Sequence, residues 1–206
     1  ASAKGRREQG LHLIEGETLV REAVASGVRL REAFLEQGRE DMVPLLEGAG
    51  ARVYIVTRPV LESICTTETP QGVCATAVTP ETAPPAMGAA GLLLGEGSAD
   101  PFAPKPVRAS MGSVYHLPLW QGPLMEELSR LKEQGFLLLC GHLAGDERWP
   151  EVGSRCALVI GNEGSGVSEA VARQCHRYRL PMYGFAESLN ASVAAGILIY
   201  ELAKRM

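Results

Sequence analysis

The sequence predicts an α/β protein in two parts: a small N-terminal α/β domain over residues 1–78 and a larger C-terminal domain over 88–206 built on a mostly parallel sheet. Three observations carry that expectation. Short apolar runs alternate with helix-period segments along the whole chain, as strands joined by crossover helices do. Runs after residue 90, such as Leu92-Leu93-Leu94 and Leu137-Leu138-Leu139-Cys140, are apolar at every position, which suits strands covered on both faces. Between the halves, Thr79 to Met87 contains Pro80, Pro84 and Pro85, which block helix and sheet interiors alike, so 79–87 reads as a linker.

In order, Leu11 to Ile14 reads as a first strand. A helix then opens at Glu15-Gly16-Glu17 and runs to about Ser26, with Leu19, Val20, Ala23 and Val24 at helical spacing and Gly27 as the stop. Leu30 to Leu35 is a second strand, Asp41 to Glu47 a helix and Val53 to Val56 a third strand. Pro59 suits the first turn of the next helix, where a missing N–H costs nothing. Thr69 to Gly72 is a turn and Val73 to Val78 the last strand of this half. The second half restarts with a strand at Gly91 to Gly95, a helical turn around Pro104 to Ser113, and a strand at Leu117 to Trp120. A helix at Pro123 to Gln134 shows Leu124, Leu128 and Leu131 on one face. Strands at Phe136–Cys140, Ala157–Ile160 and Tyr178–Leu180 follow, with a helix at Ser168–Gln174. Ser188 caps a terminal helix whose stripe is Leu189, Val193, Ile197 and Tyr200.

Composition narrows the function classes. Apolar residues are 46% and charged residues 21% of the 206, ordinary for a globular protein, and no run approaches 18 apolar residues, so no membrane span is expected. The N-terminal charges lead into no apolar leader, so no secretory signal is expected. Five scattered cysteines without a Cys-x-x-Cys pair, and four histidines off metal-ligand spacing, read as reduced thiols filling core positions and argue for no metal. A formal charge of −4 confines any nucleic-acid binding to local patches.

Two polar islands carry the chemistry. Gly161-Asn162-Glu163-Gly164-Ser165-Gly166 follows the apolar run Ala157 to Ile160, as a buried strand delivering a backbone-lined loop to a ligand would. It lacks the lysine of a phosphate-binding P-loop and the glycine spacing of the dinucleotide fingerprint. Taken alone it could be an ordinary strand-to-helix turn, but Glu163, a carboxylate directly after a buried strand, needs a partner. The second island runs from Leu180-Pro181-Met182-Tyr183 to Ser188-Leu189-Asn190. Ser188 there is explained by capping, whereas Asn190 is a poor helix residue whose amide both donates and accepts. Lys105 and Arg108, at i and i+3, project from one side of a helical turn; such a pair is usually a solvated face, but with Ser110 and Gly112 it could hold a phosphate. Lys4, Arg6 and Arg7 form a basic arm or simply an exposed terminus.

Pattern alone stops at a ligand-binding α/β protein with an accessory domain. Leu158 to Ser168 strongly resembles the second motif of the SpoU (TrmH-type) RNA ribose methyltransferases, and Leu180 to Gly184 with Ser188 to Ile197 resembles their third. Asp100 to Lys105 and Arg108 to Gly112 match a further stretch common in that family, and the first half resembles its ribosomal-protein-like RNA-binding domain. The resemblance implies a homodimer, a C-terminal sheet threaded as a deep trefoil knot, which departs from the general rule against knots, and S-adenosylmethionine held within it. Backbone around Gly161, Leu180 and Leu189 would hold the adenosine, with Met182, Leu143 and Ala144 beside it; the glycines would leave room for backbone to approach the cofactor. Glu163, Ser188 and Asn190 would order cofactor, target ribose or catalytic base, and Lys105, Arg108, Arg6 and Arg7 would meet RNA. The implied reaction is methyl transfer to a ribose 2′-hydroxyl, in large-subunit ribosomal RNA ahead of transfer RNA, in a cytoplasm or a mitochondrial matrix. A catalytically silent RNA-binding or ribosome-assembly protein of the same fold is the alternative.

One motif departs. The family's first motif, an Asn-x-Gly loop and helix carrying an arginine that assists deprotonation, should lie just before Gly88-Ala89-Ala90-Gly91, yet Pro84-Pro85-Ala86-Met87 leads straight there. Roughly one strand and one helix, about 25 residues, have no counterpart. Losing them would unmake the fold that the other motifs require, so the expectation is a segment closed up between Met87 and Gly88. No arginine of the chain is promoted to the missing role.

Overall fold

The computed structural model describes residues 3–82, 90–183 and 188–206, and the chain forms two compact units, Ala1–Gln121 and Gly122–Met206. The junction of Met87 and Gly88 lies outside the described residues.

The first unit begins with a helix, α1 (Ala3–Gln9), where the sequence suggested a basic arm or simply an exposed terminus. Lys4 pairs with Glu8 one turn on at 3.8 Å, and Gly10 at φ 61° ends the helix. Arg6 is only 9% exposed, and its Nε and Nη2 donate to Asp100 Oδ2 at 3.1 and 2.7 Å. The expectation of a free Arg6 is therefore corrected: a guanidinium fork taken from water needs a carboxylate, and Asp100 supplies it. Arg7 is exposed.

Four strands, β1 (Leu11–Glu15), β2 (Leu30–Glu36), β3 (Arg52–Val56) and β4 (Val73–Val78), form one sheet in the order β1-β4-β2-β3. β4 runs antiparallel to both neighbours, and β2 runs parallel to β3. Helices α2 (Glu17–Ala25) and α3 (Val43–Gly48) supply Leu19, Val20 and Leu46 to a core with Ile14, Leu35 and Ala75, while α4 (Arg58–Ile64) covers part of the other face through Leu61. Pro59 sits in the first turn of α4, as expected. The unit also takes in β5 (Leu92–Leu94) and β6 (Leu119–Gln121), a parallel pair, and α5 (Pro104–Ala109), whose Val107 is 1% exposed in the main core.

His12 shows how the 100–116 stretch is fixed to β1. Its ring is 1% exposed, lies 5.1 Å from Phe102, and places Nε2 2.8 Å from Tyr115 Oη and Nδ1 3.3 Å from Thr79 Oγ1. Burial holds the imidazole pKa down at about 4; Asp100 pulls the other way and Arg6 adds to the lowering.

The second unit contains α6 (Leu124–Glu133), β7 (Leu137–Asp146), β8 (Cys156–Val159), α7 (Glu169–Ala172), β9 (His176–Tyr178) and α8 (Ala191–Ala203). Its sheet has the order β8-β7-β9 with both pairs parallel, as the all-apolar runs predicted. Among the described residues, however, the strands after residue 90 form two separate parallel sheets, where one was expected. Leu124, Leu128 and Leu131 of α6 do share a face, packed on Leu138 and Val171. The terminal helix corrects the sequence reading twice. It packs through Leu198 and Leu202, leaving the foreseen stripe of Val193, Ile197 and Tyr200 between 39% and 65% exposed. Its cap is Asn190, not Ser188. All five cysteines are free, with Cys74 and Cys140 buried. No helix among the described residues is long and apolar enough to cross a membrane, and no group of three or more His, Cys, Asp or Glu side chains among them is placed to hold a metal.

The buried imidazole gives a pH prediction. The folded chain protonates His12 only near 4, the unfolded chain near 6.5, so the unfolded state binds more protons between those values. Stability is fully present above 6.5 and falls as pH drops through the window. Urea unfolding followed by circular dichroism should show wild type losing on the order of 2–3 kcal/mol more than His12→Leu between pH 7.5 and 4.5. Equal losses would contradict the assignment.

Candidate functional site

Because β8, β7 and β9 run parallel, their carboxyl ends share one edge, where open parallel sheets place ligands. Gly141 and Asp146 of β7 both pair with Tyr178 of β9, so residues 142–145 leave the ladder as a four-residue excursion. It carries Leu143, 64% exposed, and Ala144, whose N–H donates to His142 Nδ1 at 3.1 Å. A Cβ on Gly145 would stand 2.7 Å from the Arg177 carbonyl, so only glycine lets the excursion close back on β9. Sequence reasoning missed Gly145; its signal was a glycine before the acidic pair Asp146-Glu147 at the end of an apolar strand.

After β8, residues 161–166 fold back on themselves. Asn162 and Gly166 form a β-bridge, and Asn162 Oδ1 accepts from the N–H groups of Gly164 and Ser165 at 3.0 and 2.7 Å and from Ser165 Oγ at 3.0 Å. A Cβ on Gly161 would lie 2.1 Å from the Gly166 carbonyl carbon and 2.3 Å from Val167 N, so that glycine is demanded by the loop's own backbone. At Gly164 a Cβ would meet only Asn162 Oδ1, at 3.7 Å, an ordinary contact, so the loop's own packing does not demand glycine there. Asn162 is thus the residue that shapes the loop, through an asparagine turn that the glycine spacing obscured. Glu163 is exposed and has no ion pair among the described residues. An exposed carboxylate needs no internal partner, so the expectation of one, which presumed burial, does not hold at Glu163.

Leu180 follows β9 and packs on the cluster of Leu139, Tyr178, Leu198 and Leu202; Met182 is half-buried, and Tyr183 is 98% exposed. Residues 184–187 lie outside the described residues. Leu189 is 36% exposed, and Ser188 and Asn190 are exposed. Asn190 Oδ1 caps α8, accepting from Ser192 N at 3.0 Å, Val193 N at 3.4 Å and Ser192 Oγ at 2.5 Å. That leaves its amide Nδ2 with two donors unspent on the described residues. No hydrogen bond among the described residues joins Glu163, Ser188 and Asn190 to one another. The structure brings Leu143, Ala144, Gly161, Leu180 and Met182 to the ends of three adjacent strands.

The expected phosphate-binding pair divides. Lys105 is exposed on α5. Arg108 Nη1 instead donates to Thr66 Oγ1 at 2.7 Å and lies 3.7 Å from Glu15 Oε1. Glu15 is 7% exposed and accepts from the N–H and hydroxyl groups of Thr66 and Thr67 at 2.6–3.1 Å. Burial pushes the Glu15 pKa up, but these four hydrogen bonds outweigh it and hold the carboxyl below its ordinary value. Arg108 is therefore tied to Thr66 and lies beside a buried carboxylate, where the sequence suggested only a solvated face or a phosphate contact. Two cavities, of about 540 Å³ beside Glu17, Arg21 and Arg39 and about 410 Å³ beside Arg6, Thr79 and Trp120, lie in the first unit.

Residues 83–200 match the SpoU rRNA methylase family, and residues 1–75 match an MRM3-like substrate binding domain. The chain belongs to the SpoU rRNA methylase family. It is 33% identical to the 23S rRNA (guanosine(2553)-2′-O)-methyltransferase RlmP of Bacillus subtilis, over 97% of this chain and 91% of that one. That match runs over 227 residues against 206 in the whole chain, so the relative holds residues within it that this sequence lacks. Among solved structures, a TrmH-family protein from Porphyromonas gingivalis superposes with a TM-score of 0.81 at 26% identity, covering 100% of this chain and 94% of that one. An AdoMet-bound rRNA methyltransferase from Sinorhizobium meliloti gives 0.84 at 24%, covering 100% and 91%. The family accounts for the resemblance of both glycine-rich motifs and of the N-terminal half.

The two loop glycines separate by substitution. Gly161→Ala forces backbone apart and should destabilise the second unit by roughly 2 kcal/mol or more, while Gly164→Ala should stay within about 0.5 kcal/mol. Thermal unfolding of both variants checks this; equal effects would contradict the loop geometry.

Proposed function

We propose that this protein transfers the methyl group of S-adenosylmethionine to a ribose 2′-hydroxyl of RNA, with large-subunit ribosomal RNA ahead of transfer RNA. The observation that carries the reading is the near full-length match to a relative named for that reaction on 23S rRNA, with both glycine-rich motifs in order. The residues at the edge of the second sheet suit the cofactor. Loop backbone at 161–166 offers hydrogen-bonding groups, and exposed Leu143, Ile160 and Leu189 offer apolar walls for a flat base. When bound, the sulfonium supplies an electrophilic methyl group. The protein's task is then to hold the ribose oxygen in line and to help remove its proton, by proximity and general base catalysis. Asn190, fixed through its cap, directs its amide Nδ2; Ser188 and Glu163 order ribose or base; Gly161, Leu180, Leu189, Met182, Leu143 and Ala144 hold the cofactor. Lys105 and Arg7, both exposed, meet RNA.

The reading includes three further features. A second copy of the chain covers the exposed stripe of Val193, Ile197 and Tyr200, since apolar side chains at this spacing on one helix suit an isologous interface. The C-terminal sheet is threaded as a deep trefoil knot. The domains divide at 79–87, which the gap between the two family matches supports, and a strand and helix bearing the deprotonating arginine belong between Met87 and Gly88. The protein works where ribosomal RNA is made, in a bacterial-type cytoplasm.

Calorimetry with S-adenosylmethionine and tritium transfer to ribosomal RNA test the reading. Asn190→Ala should lose roughly 100-fold in transfer while binding the cofactor as wild type does. Cofactor binding by wild type without transfer to any RNA would instead favour the silent RNA-binding reading. In sedimentation, Ile197→Glu should turn a dimer into a monomer; an unchanged sedimentation coefficient would remove this helix from the interface.

A further inference from the structure

Some arginines of the first unit are held by an acid and others are left exposed. Near the carboxyl ends of β1 and β2, each is held by an acid. Arg39 pairs with Glu17 at 2.5 Å, Arg58 with Glu36 at 3.0 Å and Glu62 at 2.9 Å, and Arg108 with Glu15. At the opposite end, Arg29 and Arg31 flank the start of β2 and Arg52 begins β3. All three are exposed and form no ion pair within 4 Å among the described residues.

Beside them lies an aromatic surface. The parallel register sets Phe34 opposite Tyr54 and Glu32 opposite Arg52. The rings of Phe34 and Tyr54 stack with centroids 5.3 Å apart at 15°. Tyr54 is 36% exposed, because α4 packs over Leu13, Cys74 and Phe34 and β3 is the edge strand. Arg52, two residues before Tyr54 and so on the same face, lies against the Tyr54 hydroxyl. Glu32 lies opposite Arg52 in the register, and Glu36, farther along β2, is paired with Arg58, so Arg29, Arg31 and Arg52 outnumber the carboxylate beside them on a chain whose total is −4.

We propose that this corner, Phe34 and Tyr54 with Arg29, Arg31 and Arg52, docks single-stranded RNA, a base stacking on Tyr54 and phosphates meeting the arginines. A stacked aromatic pair with one ring exposed at a sheet edge, beside cations that form no ion pair among the described residues, suits unpaired bases and their backbone, whereas a duplex offers no exposed base face to stack. The proposal deepens the reading of an RNA-modifying enzyme and rests on it. It also shifts the contact to arginines that form no ion pair among the described residues, in place of Arg6 and Arg108, which each face a carboxylate.

The test uses the full chain and fluorescein-labelled single-stranded fragments of large-subunit ribosomal RNA, with anisotropy at several salt concentrations. Tyr54→Ala should weaken binding about tenfold, and Tyr54→Phe, which keeps the ring, should bind within about twofold of wild type. Replacing Arg29, Arg31 and Arg52 together by glutamine should reduce the slope of log affinity against log salt by about 2. Ultraviolet crosslinking should join RNA to the peptide containing Tyr54. Variants with native circular dichroism that bind with wild-type affinity and slope would overturn the proposal, as would a corner that captures a protein and no RNA. If these losses appear but wild type transfers no methyl group, the docking corner stands and the enzymatic reading falls.

Discussion

Backbone presses on backbone at two places in the second unit, and neither leaves room for a side chain. Gly145 lies under the β9 backbone at Arg177, and Gly161 lies against the Gly166–Val167 peptide. The first contact lets β7 rejoin β9 after its excursion; the second closes the loop after β8. Together they turn two strand ends into fixed loops that display Leu143 and Ile160 instead of packing them. A binding edge of this kind is specified by what is missing at two positions, with Asn162 as the side chain that completes it through three hydrogen bonds.

The first unit makes a different use of its charges. Arg6, Arg7 and Arg108 were all expected from the sequence to meet RNA, but burial sorts them. Arg6 pairs with Asp100, and Arg108 lies 3.7 Å from Glu15, whose carboxylate the hydrogen bonds of Thr66 and Thr67 already hold. Both pairs join residues far apart in sequence and hold the 100–116 stretch to β1 and its following loops, with His12 and Tyr115 alongside. The cations left over stand at the far end of the sheet.

The strands were legible because apolar runs and turn residues are local signals. Helix α1 was not, since Arg6 finds its reason 94 residues away in Asp100. The face of α8 was not, because both of its stripes are apolar: Val193, Ile197 and Tyr200 compete with Leu198 and Leu202, and only packing on Leu139 and Tyr178 chooses. Ser188 and Asn190 are both good caps two residues apart, so which one ends in that role is decided by where the helix starts. In the site, the glycine-rich loops were readable as loops. Their internal bonding was not, because Gly164 and Gly161 look alike in sequence and differ wholly in what surrounds them.

The central claim is that the cofactor lies on the edge formed by the ends of β7, β8 and β9. Amide hydrogen exchange of the protein with and without S-adenosylmethionine tests it most directly. The account predicts new protection in segments 141–146, 160–167 and 180–183 and at the start of α8. Protection confined to the first unit, beside Glu17 and Arg39 or beside Arg6 and Trp120, would contradict it.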